Sequence, residues 1–254
     1  MKVNELLTLD VVDLALGGKA LARHEGRAVF LDRGLPGDTV RARVSRVKRG
    51  WAEARLLGVE SPSPARIEAP CPHFRAQQCG GCSFQDLRYE EQLATKQRQV
   101  RDTLVHLGGI AAPEVLPIRP APEQTGYRNK MEFSFHPGAD GPIVLGLHER
   151  GTFDRVFEIE TCLLPSALTL EIVRRTRDFA RAHGWRAYDP RAHTGVARYL
   201  TVRHLSHVAQ CAVHLVAASD ELAGLEQWAR AIAALSSEVR TVTLLLNRSR
   251  ANVA

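Results

Sequence analysis

The feature that most constrains the fold of this 254-residue chain is a change in its hydrophobic period near residue 86. Before that point apolar and polar residues alternate in short runs, and Gly17-Gly18 and Leu35-Pro36-Gly37-Asp38 separate the runs. A period of two is typical of strands with one buried face, and glycine and proline favour the turns between them. Short strands with regular turns and no helical pattern predict a small closed β-barrel, similar to the oligonucleotide-binding fold, over residues 1–60.

After residue 86 apolar residues recur every three or four positions from Tyr89 to Leu107, and Gly108-Gly109 ends this run. That period predicts an amphipathic helix. Residues 61–110 therefore form a linker, a cysteine-rich loop and a helix. From residue 126 strand and helix patterns alternate, which predicts an α+β domain over residues 111–254. Its expected strands are 131–135, 143–147, 156–159, 197–202, 211–216 and 239–246, and its expected helices are 166–183 and 222–235.

Three of the five cysteines lie within the twelve residues CPHFRAQQCGGC, at positions 71, 79 and 82. Thiols this close suit a disulfide, a zinc site or an iron–sulfur site. The N-terminus lacks the apolar core of a signal peptide, and no apolar run is long enough to span a membrane. We therefore expect a cytoplasmic protein without a membrane partner, in which thiols stay reduced and disulfides are disfavoured.

The fourth ligand of a metal site has several candidates in this sequence. Cys79-Gly80-Gly81-Cys82 is a CxxC motif whose glycines allow a tight turn, and Cys71 is near enough to join it. Structural zinc sites commonly use two such CxxC motifs, and this chain has one. Cys211 lies in an alternating strand and is expected to be a buried core residue. Cys162, in a loop at a strand end, is the better fourth ligand, and His73 is a further candidate.

The net charge is +6, and its distribution indicates a nucleic-acid surface more clearly than its total. Positive side chains alternate with apolar ones on the strand Val40–Val44, and Trp51 follows them. A second basic group lies on strands of the α+β domain. The alternative for each residue is a solvated charge or a structural ion pair. The candidate RNA-binding residues are Arg41, Arg43, Arg46, Lys48 and Arg49 on the barrel, and Arg128, Lys130, Arg198 and Arg203 on the second domain.

The cysteine spacing and its flanking segments resemble the iron–sulfur-containing bacterial branch of the RNA uracil-5-methyltransferase family. The similar segments are CGGCSFQDLRYEEQLATKQ, TGYRNKMEFSF, LGLHERG, ETCLLP and TGVARYLTVRH, and residues 7–60 resemble the family's RNA-binding TRAM domain. The resemblance implies one 4Fe–4S cluster held by Cys71, Cys79, Cys82 and Cys162. It also implies RNA as the partner, with ribosomal RNA preferred to transfer RNA, and a monomer.

The resemblance also implies a catalytic apparatus that residues 1–254 do not display. Such enzymes use an S-adenosylmethionine-binding domain, a cysteine that adds to C6 of uracil, and a carboxylate base. We find no catalytic residue to assign here, so the chain is expected to be the RNA-recognition portion of such an enzyme, truncated before that domain and unable to transfer methyl groups. S-adenosylmethionine is then a cofactor of a longer chain. A zinc- or iron–sulfur-containing RNA-binding module without catalysis is the alternative. A radical enzyme is disfavoured because its CxxxCxxC motif is missing.

Overall fold

The computed structural model describes residues 1–138 and 141–250, and the chain divides into two compact units. Unit 1 comprises Met1–Phe74 and Gly81–Ala121, and unit 2 comprises Arg75–Gly80 and Pro122–Ala254. The last four residues of unit 2, and of the predicted 111–254 domain, lie outside the described part. The predicted segment 61–110 is not a separate body, because most of it packs within unit 1.

Unit 1 is built on a closed five-stranded barrel with the strand order β1-β2-β3-β5-β4, as predicted for the N-terminal region. All neighbouring strands are antiparallel except β3 and β5, and β4 pairs with β1 to close the barrel. The strands are β1 (Leu6–Leu14), β2 (Ala20–His24), β3 (Arg27–Leu31), β4 (Thr39–Val47) and β5 (Trp51–Ser61).

Alternation of side chains accounts for the barrel's interior. On β4 Val40, Ala42 and Val44 are fully buried, whereas the residues between them are exposed. Closure pairs the last strand of the sheet with the first and so removes the exposed edges of an open sheet. Gly17 and Gly18 make the turn after β1 possible, because their φ angles are +89° and +87°, which other residues rarely adopt. A Cβ added at Gly18 would also lie 2.4 Å from Cβ of Ser83.

The segment after the barrel is tied to it by Arg66. This guanidinium forms ion pairs with both Asp38 and Asp86, and the Asp38 carboxylate also accepts hydrogen bonds from the backbone N–H groups of Leu35 (2.7 Å) and Ser63 (2.8 Å). Two helices follow, the short α1 (Pro72–Arg75) and α2 (Tyr89–His106). The sequence correctly predicted α2 and its end, where the Gly108 N–H donates to the Thr103 carbonyl.

Unit 2 is a six-stranded sheet with two helices, consistent with the α+β prediction. Its strand order is β11-β10-β9-β6-β7-β8, with β10 and β11 parallel and the other pairs antiparallel. The strands are β6 (Lys130–His136), β7 (Val144–His148), β8 (Val156–Glu158), β9 (Ala197–Leu205), β10 (Gln210–Ala217) and β11 (Val239–Leu246). The helices are α3 (Ala167–Ala182) and α4 (Leu225–Ala233).

The helices cover one face of this sheet. Ile172 of α3 and Trp228 of α4 belong to the same buried core as Phe133 of β6 and Leu200 of β9. Because side chains alternate across a strand, the intervening residues of β6 and β9 face away from the helices. In the part of the chain that the structure describes, no helix combines the length and the apolar character needed to cross a membrane.

Candidate functional site

The outer face of the barrel carries two arginines directly opposite each other. Arg43 of β4 pairs in register with Arg55 of β5, and both side chains are exposed. Arg41, two residues along β4, points to the same face. Within residues 1–138 and 141–250, no carboxylate forms an ion pair with Arg41, Arg43 or Arg55. Like charges at directly opposite positions destabilise a sheet, so an anion bound at this row would relieve a repulsion.

Sequence reasoning identified Arg41 and Arg43 but missed Arg55. The alternation in Trp51-Ala52-Glu53-Ala54-Arg55 was a usable signal, since Ala52 and Ala54 are buried and the residues between them face outward. What the sequence lacked was the register of β5 against β4. That register includes three irregular steps and cannot be read from alternation alone.

The end of β4 and the turn into β5 hold the remaining predicted barrel residues. The Arg46 guanidinium carbon lies 5.9 Å from the centroid of the Trp51 ring, within the range of a cation–π contact. The Lys48 backbone N–H donates to the Trp51 carbonyl at 2.8 Å, and the side chains of Lys48 and Arg49 are exposed. An exposed basic turn next to an indole ring is a suitable surface for a nucleotide strand.

A second pair of opposed like charges lies on unit 2. Lys130 of β6 and Arg203 of β9 are register partners, both exposed, on the sheet face that points away from the helices. The charge of Arg203 reaches His214 of β10. Burial lowers the pKa of His214 from its usual 6.5, and the positive charge of Arg203 lowers this pKa further. The two predicted residues Lys130 and Arg203 are therefore brought together.

The other two predicted residues of unit 2 have different surroundings. Arg198 is 3% exposed, and its guanidinium carbon lies 3.7 Å from the centroid of the Tyr188 ring. Arg198 also donates to the Ser249 carbonyl. Arg128 is half-buried, with a guanidinium nitrogen 3.9 Å from the Met131 sulfur. The structure thus places Arg198 inside unit 2 rather than on the surface where the sequence analysis expected it.

Cys71 and Cys82 of unit 1 are both positioned by the side-chain amide of Gln85. The Cys71 backbone N–H donates to Gln85 Oε1 at 3.0 Å, and Gln85 Nε2 lies 3.8 Å from Cys82 Sγ. A hydrogen bond from an amide to sulfur favours the thiolate, which is the form that binds metals. Gln85, which follows the CxxC motif by three residues, was not identified from the sequence.

Cys79 and Cys162 lie in unit 2, and both pack against the core of that unit. Cys79 forms an isolated β-bridge with Glu149, and the neighbouring Arg150 N–H donates to the Gln78 carbonyl at 2.8 Å. Cys211 is 1% exposed in the same core, which confirms the prediction that it is a core residue. Burial raises the pKa of the Cys211 thiol, and the nearby Glu238 carboxylate adds a smaller effect, so that the pKa is about 11.

The four predicted ligands suit an iron–sulfur cluster by their chemistry, because all are thiols outside any disulfide. The positions of the four thiols in the structure give no corresponding support. Across the described residues, no group of three or more His, Cys, Asp or Glu side chains is placed to hold a metal ion.

A cleft of about 400 Å³ in unit 2 was not predicted from the sequence. It is formed by residues from the ends of β6, β7 and β9 and from the loops after β7 and before β9. Its lining includes Ser134, His148, Phe153, Tyr188 and Arg198. Sequence patterns gave no sign of it, because these residues are spread over separate segments between Ser134 and Arg198.

The closed barrel and its sequence define the class of the N-terminal unit. Residues 2–57 match the TRAM domain family, so the chain contains a TRAM domain. This match confirms the prediction made for that region.

The rest of the comparison concerns RNA methyltransferases. The chain is 46% identical over 214 residues to an uncharacterized RNA methyltransferase of Nitratidesulfovibrio vulgaris, covering 84% of this chain and 45% of the relative. It is 34% identical to one of Gloeobacter violaceus, covering 98% of this chain and 54% of the relative. The chain thus spans about half the length of these curated relatives.

A solved structure shares the fold. It is the Pyrococcus abyssi tRNA (uracil-54, C5)-methyltransferase in complex with S-adenosyl-L-homocysteine, with a TM-score of 0.69 and 20% sequence identity. The match covers 96% of this chain and 52% of that protein. The similarity therefore extends through both units.

Proposed function

We propose that residues 1–254 provide the RNA-recognition part of an S-adenosylmethionine-dependent RNA uracil-C5 methyltransferase. The observation that carries this proposal is the pairing of like charges, Arg43 with Arg55 and Lys130 with Arg203, at directly opposed sheet positions. The TRAM domain and the RNA methyltransferase relatives agree with it. We propose ribosomal RNA as the substrate in preference to transfer RNA, and a monomer as the working form.

Electrostatics explains why such pairs suit a phosphate backbone. Two exposed positive charges at adjacent strand positions repel each other, and each unit keeps such a pair without a carboxylate partner for Arg43, Arg55, Lys130 or Arg203 in the described residues. A phosphate that bridges such a pair replaces the repulsion with two attractions. Binding also releases counterions condensed on the RNA, so affinity falls as salt rises.

The first experiment measures this salt dependence for a double variant, Arg43→Gln with Arg55→Gln. Each lost phosphate contact should reduce the slope of log affinity against log salt by roughly 0.7 for single-stranded RNA. Arg230→Gln is the control, because Arg230 is an exposed arginine on α4 that already pairs with Glu226. Unchanged affinity and slope in the double variant would remove the barrel row from the RNA site.

The choice of RNA is tested by competition. A labelled ribosomal RNA fragment containing unpaired uridines is displaced by unlabelled fragment or by unmodified transfer RNA. We expect the ribosomal fragment to compete better. Stronger competition by transfer RNA would reverse the preference while leaving RNA recognition intact.

The cluster is the second part of the proposal. We assign Cys71, Cys79, Cys82 and Cys162 as ligands of one 4Fe–4S cluster, supported by their spacing and by the amide of Gln85 beside Cys71 and Cys82. A bound cluster would supply a rigid, redox-capable anchor for the loop. The alternative is a zinc-containing RNA-binding module, which is colourless, whereas an iron–sulfur protein is brown. Absorption and metal analysis of anaerobically purified protein separate the two.

A further inference from the structure

The cleft of unit 2 has an exposed aromatic ring at its edge. Phe153, in the loop between β7 and β8, is 77% exposed. The loop is nevertheless well braced. The Glu149 N–H donates to the Arg155 carbonyl at 2.9 Å, and the Thr152 hydroxyl donates to the Glu149 carbonyl at 3.0 Å. An exposed phenylalanine that is held in place costs little further entropy when a ligand stacks on it.

Asp154, next to Phe153, fixes the loop to two other walls of the cleft. Its backbone carbonyl lies 2.9 Å from Nε2 of His136 at the end of β6. Its carboxylate forms an ion pair with Arg191 of the loop before β9. Phe153 is thus supported from both sides and keeps its position relative to the rest of the cleft.

Polar groups inside the cleft can recognise the edge of a planar ligand. Ser134 Oγ and His148 Nε2 are 3.0 Å apart and share a hydrogen bond. A hydroxyl has one donor and two acceptor sites, so Ser134 keeps capacity for a ligand. A second polar group lies at the Tyr188 wall, where the hydroxyl is 3.0 Å from His193 Nδ1 and the Arg198 guanidinium lies against the ring.

The cleft also lies farther along the sheet face that carries Lys130, Glu132 and Arg203. Ser134 lies four residues after Lys130 on β6 and therefore on the same face, at about 13 Å along the strand. A single nucleic-acid strand whose phosphates contact Lys130 and Arg203 can therefore extend to the cleft. The cleft volume lies within the roughly 300–1,000 Å³ of pockets that hold small ligands, so there is room for one base.

We infer that this cleft binds one unpaired nucleotide of the RNA, with its base stacked on Phe153 and its polar edge directed to Ser134 and His148. The inference rests on the proposed RNA-recognition function and specifies the structural state of the RNA that unit 2 accepts. A base in a duplex is not accessible for this contact, because both of its faces are already stacked. Recognition by stacking is the usual means of binding unpaired RNA.

The test compares Phe153→Ala with Phe153→Trp, which keeps an aromatic surface. The probe is a short single-stranded RNA that carries 2-aminopurine, and a fully paired RNA of equal length serves as the second ligand. Stacking of one base contributes about 1–3 kcal/mol, so Phe153→Ala should weaken single-strand binding about 5- to 150-fold. It should also reduce the quenching of the probe's fluorescence, whereas Phe153→Trp should preserve both the affinity and the quenching.

Val208→Ala is the matched control, since Val208 is an exposed apolar residue of unit 2 outside the cleft. Its RNA affinity should equal that of the unmodified chain, and binding of the paired RNA should be the same for all variants. If the unmodified chain binds single-stranded RNA and Phe153→Ala binds it equally well, the cleft inference is wrong and the proposed function stands. If the unmodified chain binds neither RNA, both are wrong.

Discussion

Two kinds of cysteine can be distinguished in this chain by their surroundings. Cys211 is buried among apolar side chains, and burial raises the pKa of its thiol to about 11, which keeps it protonated and unreactive at neutral pH. Cys82 instead lies beside the polar amide of Gln85, and Cys71 is anchored to the same amide through its backbone. The difference in environment supports separate roles for the core cysteine and the loop cysteines.

The first prediction follows from this difference. Serine in place of Cys71, Cys79, Cys82 or Cys162 should abolish the brown colour and the bound iron, because a cluster ligand is lost. Cys211→Ser should retain both, although the buried hydroxyl should make the protein less stable. Iron analysis with absorption spectra of anaerobic samples provides the measurement. Full iron content in Cys162→Ser, or iron loss in Cys211→Ser, would contradict the ligand assignment.

The second prediction uses His214 as a reporter of charge on the unit 2 sheet. Burial lowers the pKa of His214 most, and the charge of Arg203 lowers it further. Arg203→Gln should therefore raise this pKa toward 6.5, although burial still keeps it below that value. RNA that binds Arg203 should also raise it, because phosphate offsets the positive charge. The pKa is measured by NMR titration of the His214 ring, and Arg230→Gln is the control. An unchanged pKa in Arg203→Gln would show that the charge of Arg203 does not reach His214.

At the scale of secondary-structure elements, the sequence predicts those with a clear period. The strand 239–246 was predicted with the observed bounds of β11, and the helix predicted over residues 166–183 contains α3, whose N-cap Ser166 accepts from the Thr169 N–H at 3.2 Å. Within the barrel, no separate strand was predicted at the positions of β2 and β5. β2 has five residues, and β5 has exposed apolar residues such as Leu57 and Val59 that obscure the alternation.

The candidate site was predictable where it depends on one strand and unpredictable where it depends on several. Alternation alone placed Arg41 and Arg43 on an outer face, as the structure has them. To predict that Arg43 and Arg55 lie opposite each other, one must know the register between β4 and β5. Short-range sequence patterns do not encode this register. The burial of Arg198 depends on a stacking partner, Tyr188, ten residues away in a loop. Tertiary contacts of this kind have no local signal.

The third prediction concerns the ion pairs that hold the segment after the barrel. The Asp38 side chain is fully buried and interacts with Arg66 and two backbone N–H groups. Asp38→Asn should reduce the free energy of unfolding of unit 1 by about 1.5–3 kcal/mol, because the buried carboxylate loses its charge-assisted hydrogen bonds while Arg66 keeps Asp86 as a partner. Glu53→Gln removes the ion pair with Lys19, which is more exposed than that of Asp38, and should cost about 1 kcal/mol or less. Urea denaturation measures both, and equal costs would contradict the assigned role of Asp38.

On the scale of the whole molecule, the positive charge relevant to RNA is divided between the units. Unit 1 carries the Arg43–Arg55 pair and unit 2 the Lys130–Arg203 pair, each on a sheet surface. Each unit therefore has its own means of contacting phosphate. RNA affinity of the chain should depend on both, and neutralising either pair should weaken binding without abolishing it.

The fourth prediction is that the 254-residue chain binds RNA but does not form 5-methyluridine. Uracil-C5 methylation requires a reactive thiolate to add to C6, and Cys211, the cysteine outside the proposed ligand set, is buried with a raised pKa. The assay measures transfer of tritiated methyl groups from S-adenosylmethionine to ribosomal RNA. The Pyrococcus abyssi enzyme acting on transfer RNA is a positive control for the assay. Methyl incorporation by the chain itself would contradict the proposal.

The brief passage of the chain into unit 2 at Arg75–Gly80 affects the order in which the protein can form during synthesis. Cys79 bridges to Glu149, which is translated 70 residues later. At about 5–20 residues per second, the ribosome needs roughly 4–14 s to reach that partner. All five barrel strands have been synthesised by then, whereas the Cys79 thiol still lacks its native neighbour. The nascent loop is therefore more open to oxidants in this interval than in the finished protein, where Cys79 packs against the core of unit 2.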